Sequence, residues 1–160
     1  MEFKGYYNCP LGLLEIKATE SSLIAVKFLE EEVVGNVVEV IGSALIDETI
    51  HQLTEYFEEK RKLFDLPLAF EGTEFQQKVW KELTRIPFGQ TISYGQLADR
   101  LGSRQLVRAV GTANGRNPIG IIVPCHRVIG SQGDLVGYAG GLWRKQWLLE
   151  HESSQKLLML

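Results

Sequence analysis

The sequence predicts a small α/β unit followed by a mainly helical unit. Alternation of apolar and polar residues near the N-terminus indicates strands, and an apolar stripe with helical spacing follows them. After residue 71, hydroxyl residues placed three positions before glutamines mark the starts of helices. We therefore expect an N-terminal α/β domain over residues 1–70, which supports a C-terminal domain over residues 71–160.

The first domain is expected to hold three antiparallel strands and one helix. A turn at residues 10–12 joins the first two strands into a hairpin, and a third strand follows. The strands are predicted at residues 5–9, 13–18 and 22–28. The helix is predicted from one apolar stripe, which consists of Ile46, Ile50, Leu53 and Phe57. Residues 65–72 are interpreted as a linker.

Helix starts are well marked in the second domain. Thr73 with Gln76, and Ser93 with Gln96, fit the capping box, in which side chains satisfy backbone N–H groups that the first turn leaves without partners. The helix after Thr73 is expected to end before Pro87, because proline cannot continue a helix. Its apolar stripe consists of Phe75, Val79, Leu83 and Ile86.

Two short helices joined by a tight turn are expected after Ser93. The first closes at Gly102, and Ser103 caps a second that runs to about Asn114. This outline is that of a helix-turn-helix, although many helical domains contain it. A last helix is predicted over residues 142–151.

The second helix of this pair has an unusual face of small residues. A glycine within a helix destabilises it by about 1 kcal/mol relative to alanine. We therefore expect that these glycines allow another molecule or another part of the chain to approach the helix backbone closely. Two interpretations stay open, namely close packing against another helix, or close approach to a nucleic-acid groove with Arg108 as a wedge. The face consists of Arg108, Gly111, Thr112 and Gly115, and the residues that can face the core are Leu106, Val110 and Ala113.

The charge distribution permits a nucleic-acid partner in spite of the total. The formal net charge of −3 argues mildly against such a partner. Local basicity decides whether a phosphate backbone can dock, however, and the acids are concentrated at residues 30–32 and 55–59. Between residues 100 and 127 the charged residues are all arginines, namely Arg100, Arg104, Arg108, Arg116 and Arg127.

Composition indicates an ordinary globular protein of the cytoplasm. The 160-residue chain is 44% hydrophobic and 23% charged. The apolar run at residues 119–123 is too short to cross a bilayer, and the N-terminus lacks the pattern of a signal peptide. Cys9 and Cys125 do not resemble a disulfide framework, so we expect a reducing compartment.

Cys125 has the neighbours of a reactive thiol. His126 and Arg127 follow it, and nearby positive charge favours the nucleophilic thiolate. The opposite interpretation is a small buried side chain of the core, which is common for free cysteines. Residues 124–128 are expected to be extended, which would turn Cys125 and His126 to opposite faces and leave a water to bridge them. The residues alone leave both interpretations open.

Segments throughout residues 73–152 resemble the O6-alkylguanine-DNA alkyltransferase family, also called methylated-DNA–protein-cysteine methyltransferases. Their order and spacing match, whereas residues 1–70 match only in their strand and helix pattern. The resemblance implies a ribonuclease H-like first domain and a winged helix-turn-helix in the second. The matching segments are residues 88–98, 108–111, 117–118, 124–128, 136–142 and 147–152.

The resemblance implies a role for each member of a catalytic group. Cys125 corresponds to the alkyl acceptor, and His126 to the base that takes the thiol proton through a water. Glu152 corresponds to the carboxylate that orients this histidine, an arrangement typical of activated nucleophiles. Tyr94 corresponds to the proton donor for the departing guanine, although its helical position alone would indicate a core tyrosine.

The resemblance also implies a DNA-binding surface and a pocket for the base. Arg108 corresponds to the arginine that enters the base stack where the damaged nucleotide is flipped out, and Asn117 to the residue that ties the recognition helix to the active-site strand. The DNA-binding set comprises Tyr94, Arg108, Ala109, Gly111, Thr112, Gly115 and Asn117. The pocket set comprises Tyr138, Val128, Ala139 and Asn117.

The function that the resemblance implies is direct reversal of DNA damage. The alkyl group of O6-alkylguanine, and of O4-alkylthymine, would pass once and permanently to Cys125 from double-stranded DNA bound through the minor groove. No cofactor is expected, and the chain lacks the Cys and His residues of the zinc site that some family members carry, so no metal is expected. We expect a monomer.

Three alternatives predict different outcomes. A non-catalytic lesion-binding protein would leave the alkyl group on the DNA. A Cys–His hydrolase would turn over many substrate molecules. A transcription factor that uses the helix-turn-helix alone would bind undamaged DNA tightly and in a sequence-specific way, and it would leave residues 124–128 without a purpose.

Overall fold

A computed structural model describes residues 1–30 and 42–158 of the chain. Two of the three acidic residues at positions 30–32, and the final residues 159–160, lie outside the described residues. The chain separates into two compact units, Met1–Phe70 and Glu71–Leu160. Among the described helices, none has both the length and the apolar character needed to cross a membrane.

The strands of the first unit follow the predicted hairpin and third strand. In the described residues they form an antiparallel sheet in the order β1-β2-β3, so these predictions are confirmed. Alternate residues of β2 are buried, as expected for a sheet with one face against a core. The strands are β1 (Phe3–Cys9), β2 (Gly12–Ala18) and β3 (Leu23–Phe28).

The predicted helix of the first unit is confirmed as α1 (Ala44–Phe57), and Ser43 caps its first turn. Ile46 packs on the sheet at Gly5, where an added Cβ would lie 2.5 Å from the Ile46 Cγ2 atom. The predicted stripe was partly wrong, because the helix is rotated so that Ile50 and Phe57 are only half-buried. The buried face consists of Ile46, Thr49, Gln52, Leu53 and Tyr56.

Polar residues can occupy this buried face because their hydrogen bonds are satisfied. The Thr49 hydroxyl donates to the carbonyl of Leu45 at 2.8 Å. The Gln52 amide both donates to the carbonyl of Asp65 and accepts from its N–H, at 3.0 and 2.9 Å. A buried polar group with its partners in place costs far less than an unpaired one, so an apolar stripe alone could not locate this face.

The segment interpreted as a linker is in part an extension of the sheet. The N–H of Leu23 donates to the carbonyl of Pro67 at 2.7 Å, and the N–H of Ala69 donates to the carbonyl of Leu23 at 3.0 Å. Leu68 therefore pairs with Leu23 in parallel orientation at the edge of the sheet. A proline can lie there because an edge position does not require its missing N–H.

The second unit contains the predicted helices and a small parallel sheet that the sequence did not predict. Both capping boxes are present, at Thr73 with Gln76 and at Ser93 with Gln96. Gly102, with a φ of 115°, lies in the turn between the two helices of the helix-turn-helix. The helices are α2 (Glu74–Leu83), α3 (Tyr94–Arg100), α4 (Val107–Gly115) and α5 (Leu142–Leu158), and the sheet pairs β4 (Ile92–Ser93) with β5 (Val128–Ile129).

Three boundaries in this unit differ from the predictions. Helix α2 ends at Leu83, so Ile86 of the predicted stripe lies beyond it. The helix capped by Ser103 begins with a 3₁₀ turn, Arg104–Leu106, before α4. The last helix continues beyond residue 151, so Glu152 lies within α5 and not at its end. Gln155, one turn further along, is also buried, which explains why α5 extends past the predicted boundary.

Candidate active site

Cys125 begins a 3₁₀ turn, Cys125–Arg127, so the predicted extended segment was wrong. The chain before it closes a series of tight turns, in which the N–H of Val123 donates to Ile119 and the N–H of Cys125 donates to Val123. The next such bond runs from the N–H of Arg127 to Pro124, at 3.0 Å. Successive side chains therefore do not alternate between two faces, as they would on a strand.

Asn117 holds these turns in place with its side chain. Its Nδ2 group donates to the carbonyls of Val123 and Ile119, at 2.8 and 3.3 Å, and its Oδ1 atom accepts from the N–H of Ile119 at 3.0 Å. Ile121 has a φ of 69°, a left-handed conformation that costs a β-branched residue on the order of 1–3 kcal/mol. The surrounding hydrogen bonds maintain this strained turn four residues before Cys125.

His126 and Glu152 form the centre of a buried polar network. The His126 Nε2 atom lies 2.7 Å from Glu152 Oε2, and neither side chain is more than 1% exposed. Arg127 donates to both carboxylate oxygens, at 2.7 and 3.1 Å, and to the carbonyl of Ile86 at 2.7 Å. The N–H of Gly89 also donates to Glu152, at 3.4 Å. The Glu152 carboxylate therefore fixes the positions of both the His126 ring and the Arg127 guanidinium group.

The charges in this network follow from its partners. Burial opposes ionisation of Glu152, but the charges and hydrogen bonds of His126 and Arg127 outweigh burial and lower the pKa of the carboxyl group. Burial lowers the pKa of His126, and Glu152 only partly opposes that shift. At neutral pH the network thus holds an ionised glutamate, a charged arginine and a neutral histidine.

The second nitrogen of His126 remains available for proton transfer. Because Nε2 faces Glu152, a neutral ring that donates through Nε2 carries its lone pair on Nδ1. Within the described part of the chain, this Nδ1 atom is buried and has no hydrogen-bond partner. The arrangement is suited to a base that accepts one proton and is then stabilised as an imidazolium by Glu152.

The Cys125 thiol is held in its protonated form at rest. It is 7% exposed, and burial raises its pKa, while a hydrogen bond from Asn117 and the charge of Lys145 oppose this shift. A thiol of this kind needs a base before it can attack, since the thiolate is the nucleophile. Cys125 is therefore a candidate nucleophile of the base-activated type.

Tyr94 lies at the start of α3, and its hydroxyl donates to the carbonyl of Val136 at 2.9 Å. Burial raises its pKa, and a hydrogen bond with Asn114 opposes the shift, so the phenol is protonated at neutral pH. Asn114 is itself buried on α4 and donates to the carbonyl of Cys125 at 3.4 Å. It thus links the second helix of the helix-turn-helix to both candidate reacting groups.

No sequence pattern identified Asn114 or Lys145 as a site residue. Lys145 is fully buried on α5, and its ammonium group donates to the carbonyls of Val128 and Val136 at 2.6 and 2.9 Å. In sequence, a lysine on an amphipathic helix reads as a solvent-facing residue, and an asparagine near a glycine reads as a helix end. Neither pattern carries a signal for a buried contact.

The α4 face of small residues is open, as predicted. Arg108, Ala109 and Thr112 are exposed, whereas Val110 and Ala113 are buried. A Cβ added at Gly115 would meet no atom within 4 Å, and one added at Gly111 would meet only the Tyr94 ring, at 3.8 Å. Packing within the described chain does not require these glycines, which favours a partner over helix–helix packing.

An open pocket with a volume of about 350 Å³ lies between this face and the loop before α5. Cys125 does not line it, and of the predicted pocket residues Tyr138 is half-buried and Ala139 exposed. Both backbone groups of Val128 are occupied, since its N–H donates to Cys125 and its carbonyl accepts from Lys145. The lining consists of Tyr94, Val107, Arg108, Gly111, Gly115, Val136 and Gly137.

Two family models together match most of the chain. The model described as 6-O-methylguanine DNA methyltransferase, DNA binding domain, matches residues 74–154, and that of the ribonuclease-like domain of the same proteins matches residues 3–70. The chain belongs to the 6-O-methylguanine DNA methyltransferase family. The resemblance inferred from sequence motifs is thereby confirmed, and so is the predicted fold class of an α/β ribonuclease-like unit followed by a helical DNA-binding unit.

Relatives of this methyltransferase family align over different shares of their length. A methylated-DNA–protein-cysteine methyltransferase from Mycobacterium tuberculosis is 56% identical over 106 residues, which are 66% of this chain and 64% of the relative. The alignment with this mycobacterial relative therefore spans slightly less than two thirds of it. A protein of the same description from Methanosarcina acetivorans is 45% identical over 152 residues, which are 92% of this chain and 96% of the relative.

Solved structures of the methyltransferase family agree with the fold. The crystal structure of O6-methylguanine methyltransferase from Mycobacterium tuberculosis is 42% identical, covers 97% of this chain and 94% of that chain, and superposes with a TM-score of 0.86. The structure of OGT from the same organism in complex with DNA is 44% identical, covers 94% and 92%, and has a TM-score of 0.84.

Proposed function

We propose that this protein repairs DNA by moving the alkyl group of O6-alkylguanine onto Cys125, where it stays. The observation that carries the proposal is the contact of 2.7 Å between Glu152 and His126, the residue that follows the buried Cys125 in the chain. A nucleophile, a base and a residue that orients the base are the minimum set for activating a thiol that is neutral at rest. Membership of the methyltransferase family gives this set its substrate.

The first step is transfer of the thiol proton to His126. The neutral imidazole accepts it at Nδ1 through a water, and the resulting imidazolium is stabilised by the ionised Glu152. Because burial raises the pKa of the Cys125 thiol, the thiolate forms only while the proton is held on the histidine. The strength of the nucleophile therefore depends on the buried carboxylate.

The second step is attack of the thiolate on the alkyl carbon. A C–S bond forms as the bond from carbon to guanine O6 breaks, and Tyr94 gives its proton to the departing base, so that guanine leaves neutral. The product on Cys125 is a thioether, which has no carbonyl for water to attack. We therefore propose a single turnover. The proposed steps need no cofactor and no metal ion. Within the described residues, no cluster of His, Cys, Asp and Glu side chains could hold a metal ion.

DNA binding is assigned in this proposal to the α4 face and the pocket beside it. The guanine O6 atom is inaccessible within a stacked duplex, so the nucleotide must be flipped out at a cost of a few kcal/mol. Exposed Arg108 is suited to fill the gap in the stack, and the glycines at 111 and 115 permit close contact with the walls of the minor groove. Binding driven by phosphate contacts should weaken as salt rises.

Replacing Arg108 with alanine should slow repair in duplex DNA by about 10- to 100-fold, because the variant loses the group that stabilises the open stack. The same lesion in a single strand needs no flipping, so its repair should change much less. Single-turnover rate constants on the two substrates measure this difference. Arg85→Ala, which removes an exposed arginine beyond α2, is the matched control. An equal loss on both substrates would contradict a role in base flipping.

The proposal is tested by the fate of the lesion. A duplex with one O6-methylguanine is incubated with an excess of protein, and the restored guanine is measured by mass spectrometry of the DNA. Restored guanine with the methyl group on the protein is the expected result. DNA that stays methylated while bound would favour the lesion-binding alternative, and released methanol would favour a hydrolase.

Three further properties belong to the proposal. The protein acts as a monomer, it works in the reducing cytoplasm, and it also accepts O4-alkylthymine as a substrate.

A further inference from the structure

We infer that Lys145 is a positioning residue for alkyl transfer: its ammonium group fixes the segment between Val128 and Val136 against Tyr94, and it stabilises the phenolate that forms when Tyr94 gives up its proton. The inference rests on the proposed function and adds a residue to which the sequence assigned no role. Three observations on the surroundings of Lys145 support it.

The first observation is the burial of a charge without an opposite charge. Lys145 is fully buried on α5, and the one opposite charge that acts on it among the described residues is that of the Cys125 thiolate, which is absent while the thiol is protonated. A buried ammonium group is costly to a protein, and a methionine of similar length would fill the same space without that cost. The presence of a charged side chain at this buried position therefore indicates that its charge interacts with a group in the site.

The second observation is the contact of Lys145 with both ends of one segment. Its Nζ atom donates to the carbonyl of Val128, three residues after Cys125, at 2.6 Å, and to that of Val136 at 2.9 Å. The Tyr94 hydroxyl donates to the same carbonyl of Val136, also at 2.9 Å. Lys145 and Tyr94 thus share an acceptor, and the ammonium group lies 5.7 Å from the centre of the tyrosine ring. Such a distance is within the range of cation–π attraction.

The third observation is the hydrogen-bonding capacity that remains. An ammonium group has three N–H donors, and two carbonyls occupy two of them, so one N–H has no acceptor among the described residues. When the O–H bond of Tyr94 breaks and its proton moves to guanine, the electron pair stays on the phenolic oxygen. Burial raises the pKa of Tyr94, which makes a bare phenolate unfavourable there. The third N–H of Lys145 can donate a hydrogen bond to the negatively charged phenolic oxygen of Tyr94.

The protons balance over the whole reaction. The Cys125 proton is on His126 and the Tyr94 proton is on guanine once the C–S bond has formed. The site then holds an imidazolium and a phenolate, whose charges cancel. Return of the imidazolium proton to the phenolate through water restores both side chains. Lys145 keeps its own protons throughout, and its charge lowers the energy of the intermediate state.

A double-mutant cycle tests the inference. Single-turnover methyl transfer is measured for the wild type, Lys145→Met, Tyr94→Phe and the double variant, with thermal melting as a check on folding. Lys145→Met should lower the rate constant by about 10- to 100-fold when Tyr94 is present, as for loss of a hydrogen bond to a charged group. In the Tyr94→Phe background the loss should be about 10-fold smaller, since no phenolate forms and only the effects of Lys145 on the Cys125 thiol and on the segment remain. Lys145→Arg should restore part of the rate, and Lys78→Met, at an exposed position of α2, is the control.

Equal losses in the two backgrounds would overturn the inference, because a merely structural lysine would act independently of Tyr94. If Lys145→Met does not fold, the pH dependence of the unmodified protein decides. Burial lowers the pKa of Lys145 to about 8, so transfer should slow above that pH more steeply in the wild type than in Tyr94→Phe, where only the effect of Lys145 on the Cys125 thiol is lost. The other titratable groups around this site are Cys125, His126 and Asp134. An identical profile in both proteins would also overturn the inference.

The same samples separate this inference from the proposed function. A methyl group found on wild-type Cys125, together with equal losses in both backgrounds, would overturn the role of Lys145 alone. No methyl group on wild-type Cys125 would overturn alkyl transfer itself, and the role of Lys145 with it. Measurement of protein mass alongside the rates distinguishes the two results.

Discussion

Cys125→Ser is expected to abolish alkyl transfer while leaving the affinity for lesion-containing DNA within about 3-fold. The serine hydroxyl has nearly the same size as the thiol but ionises far less readily, so the rate should fall by at least about 1000-fold. DNA affinity should persist because the α4 face that carries the binding proposal does not include Cys125. The measurements are single-turnover transfer from O6-methylguanine DNA and equilibrium binding to the same duplex.

Cys9→Ser is the matched control for this variant. Cys9 is also a buried cysteine, but it lies at the end of β1 in the first unit. Its replacement should leave the transfer rate within about 3-fold, since the proposed mechanism gives it no chemical role. Transfer that survives in Cys125→Ser, or a methyl group recovered on Cys9, would contradict the assignment of the acceptor.

Glu152→Gln is expected to reduce both stability and transfer. The amide keeps the shape of the carboxylate but leaves the buried Arg127 without an opposite charge, and breaking a buried ion pair in this way costs about 3–5 kcal/mol. The variant also removes the charge that would stabilise the His126 imidazolium, so transfer should slow by about 100-fold or more. Urea unfolding and single-turnover transfer measure the two effects. Glu150→Gln, at an exposed position on the same helix, should change neither.

The stability difference between wild type and Glu152→Gln should depend on pH. The folded protein lowers the pKa of Glu152, so the carboxylate contributes its full stability above the ordinary glutamate pKa of about 4.3, and the contribution is lost as pH falls below that value. Below that value the unfolded chain binds a proton that the folded protein does not. With His126 replaced by asparagine in both proteins, so that this histidine does not titrate, the difference in the free energy of unfolding should be large at pH 7 and shrink towards pH 3. An unchanged difference between these two pH values would contradict an ionised Glu152 in the folded protein.

Local signals in the sequence were sufficient to locate most elements of the fold. The capping boxes at Thr73 and Ser93, and the hairpin around Gly12, depend on residues within a few positions of one another, and all three are present. The rotation of α1 could not be predicted in this way. It depends on Gln52 meeting the backbone of Asp65, thirteen positions along the chain.

The site was predictable in its composition but not in its geometry. The motif around Cys125 identified the thiol and its neighbours, but the expected extended conformation was wrong, because side-chain bonds from Asn117 close that segment into turns. The role of Lys145 could not be predicted either, because it too depends on contacts between distant parts of the chain. Its partners are backbone carbonyls, which every residue carries, so no pattern of residue types indicates them.

The ratio of repaired guanine to protein shows whether the alkyl group stays on Cys125 for good. Wild-type protein is mixed with an excess of duplex DNA that contains O6-methylguanine, and restored guanine and protein mass are followed until the reaction stops. The proposed mechanism predicts a plateau at one guanine per protein molecule, with one added methyl group located on Cys125. Restoration that continues beyond one guanine per molecule, or a plateau with unmodified Cys125, would contradict permanent transfer to this residue.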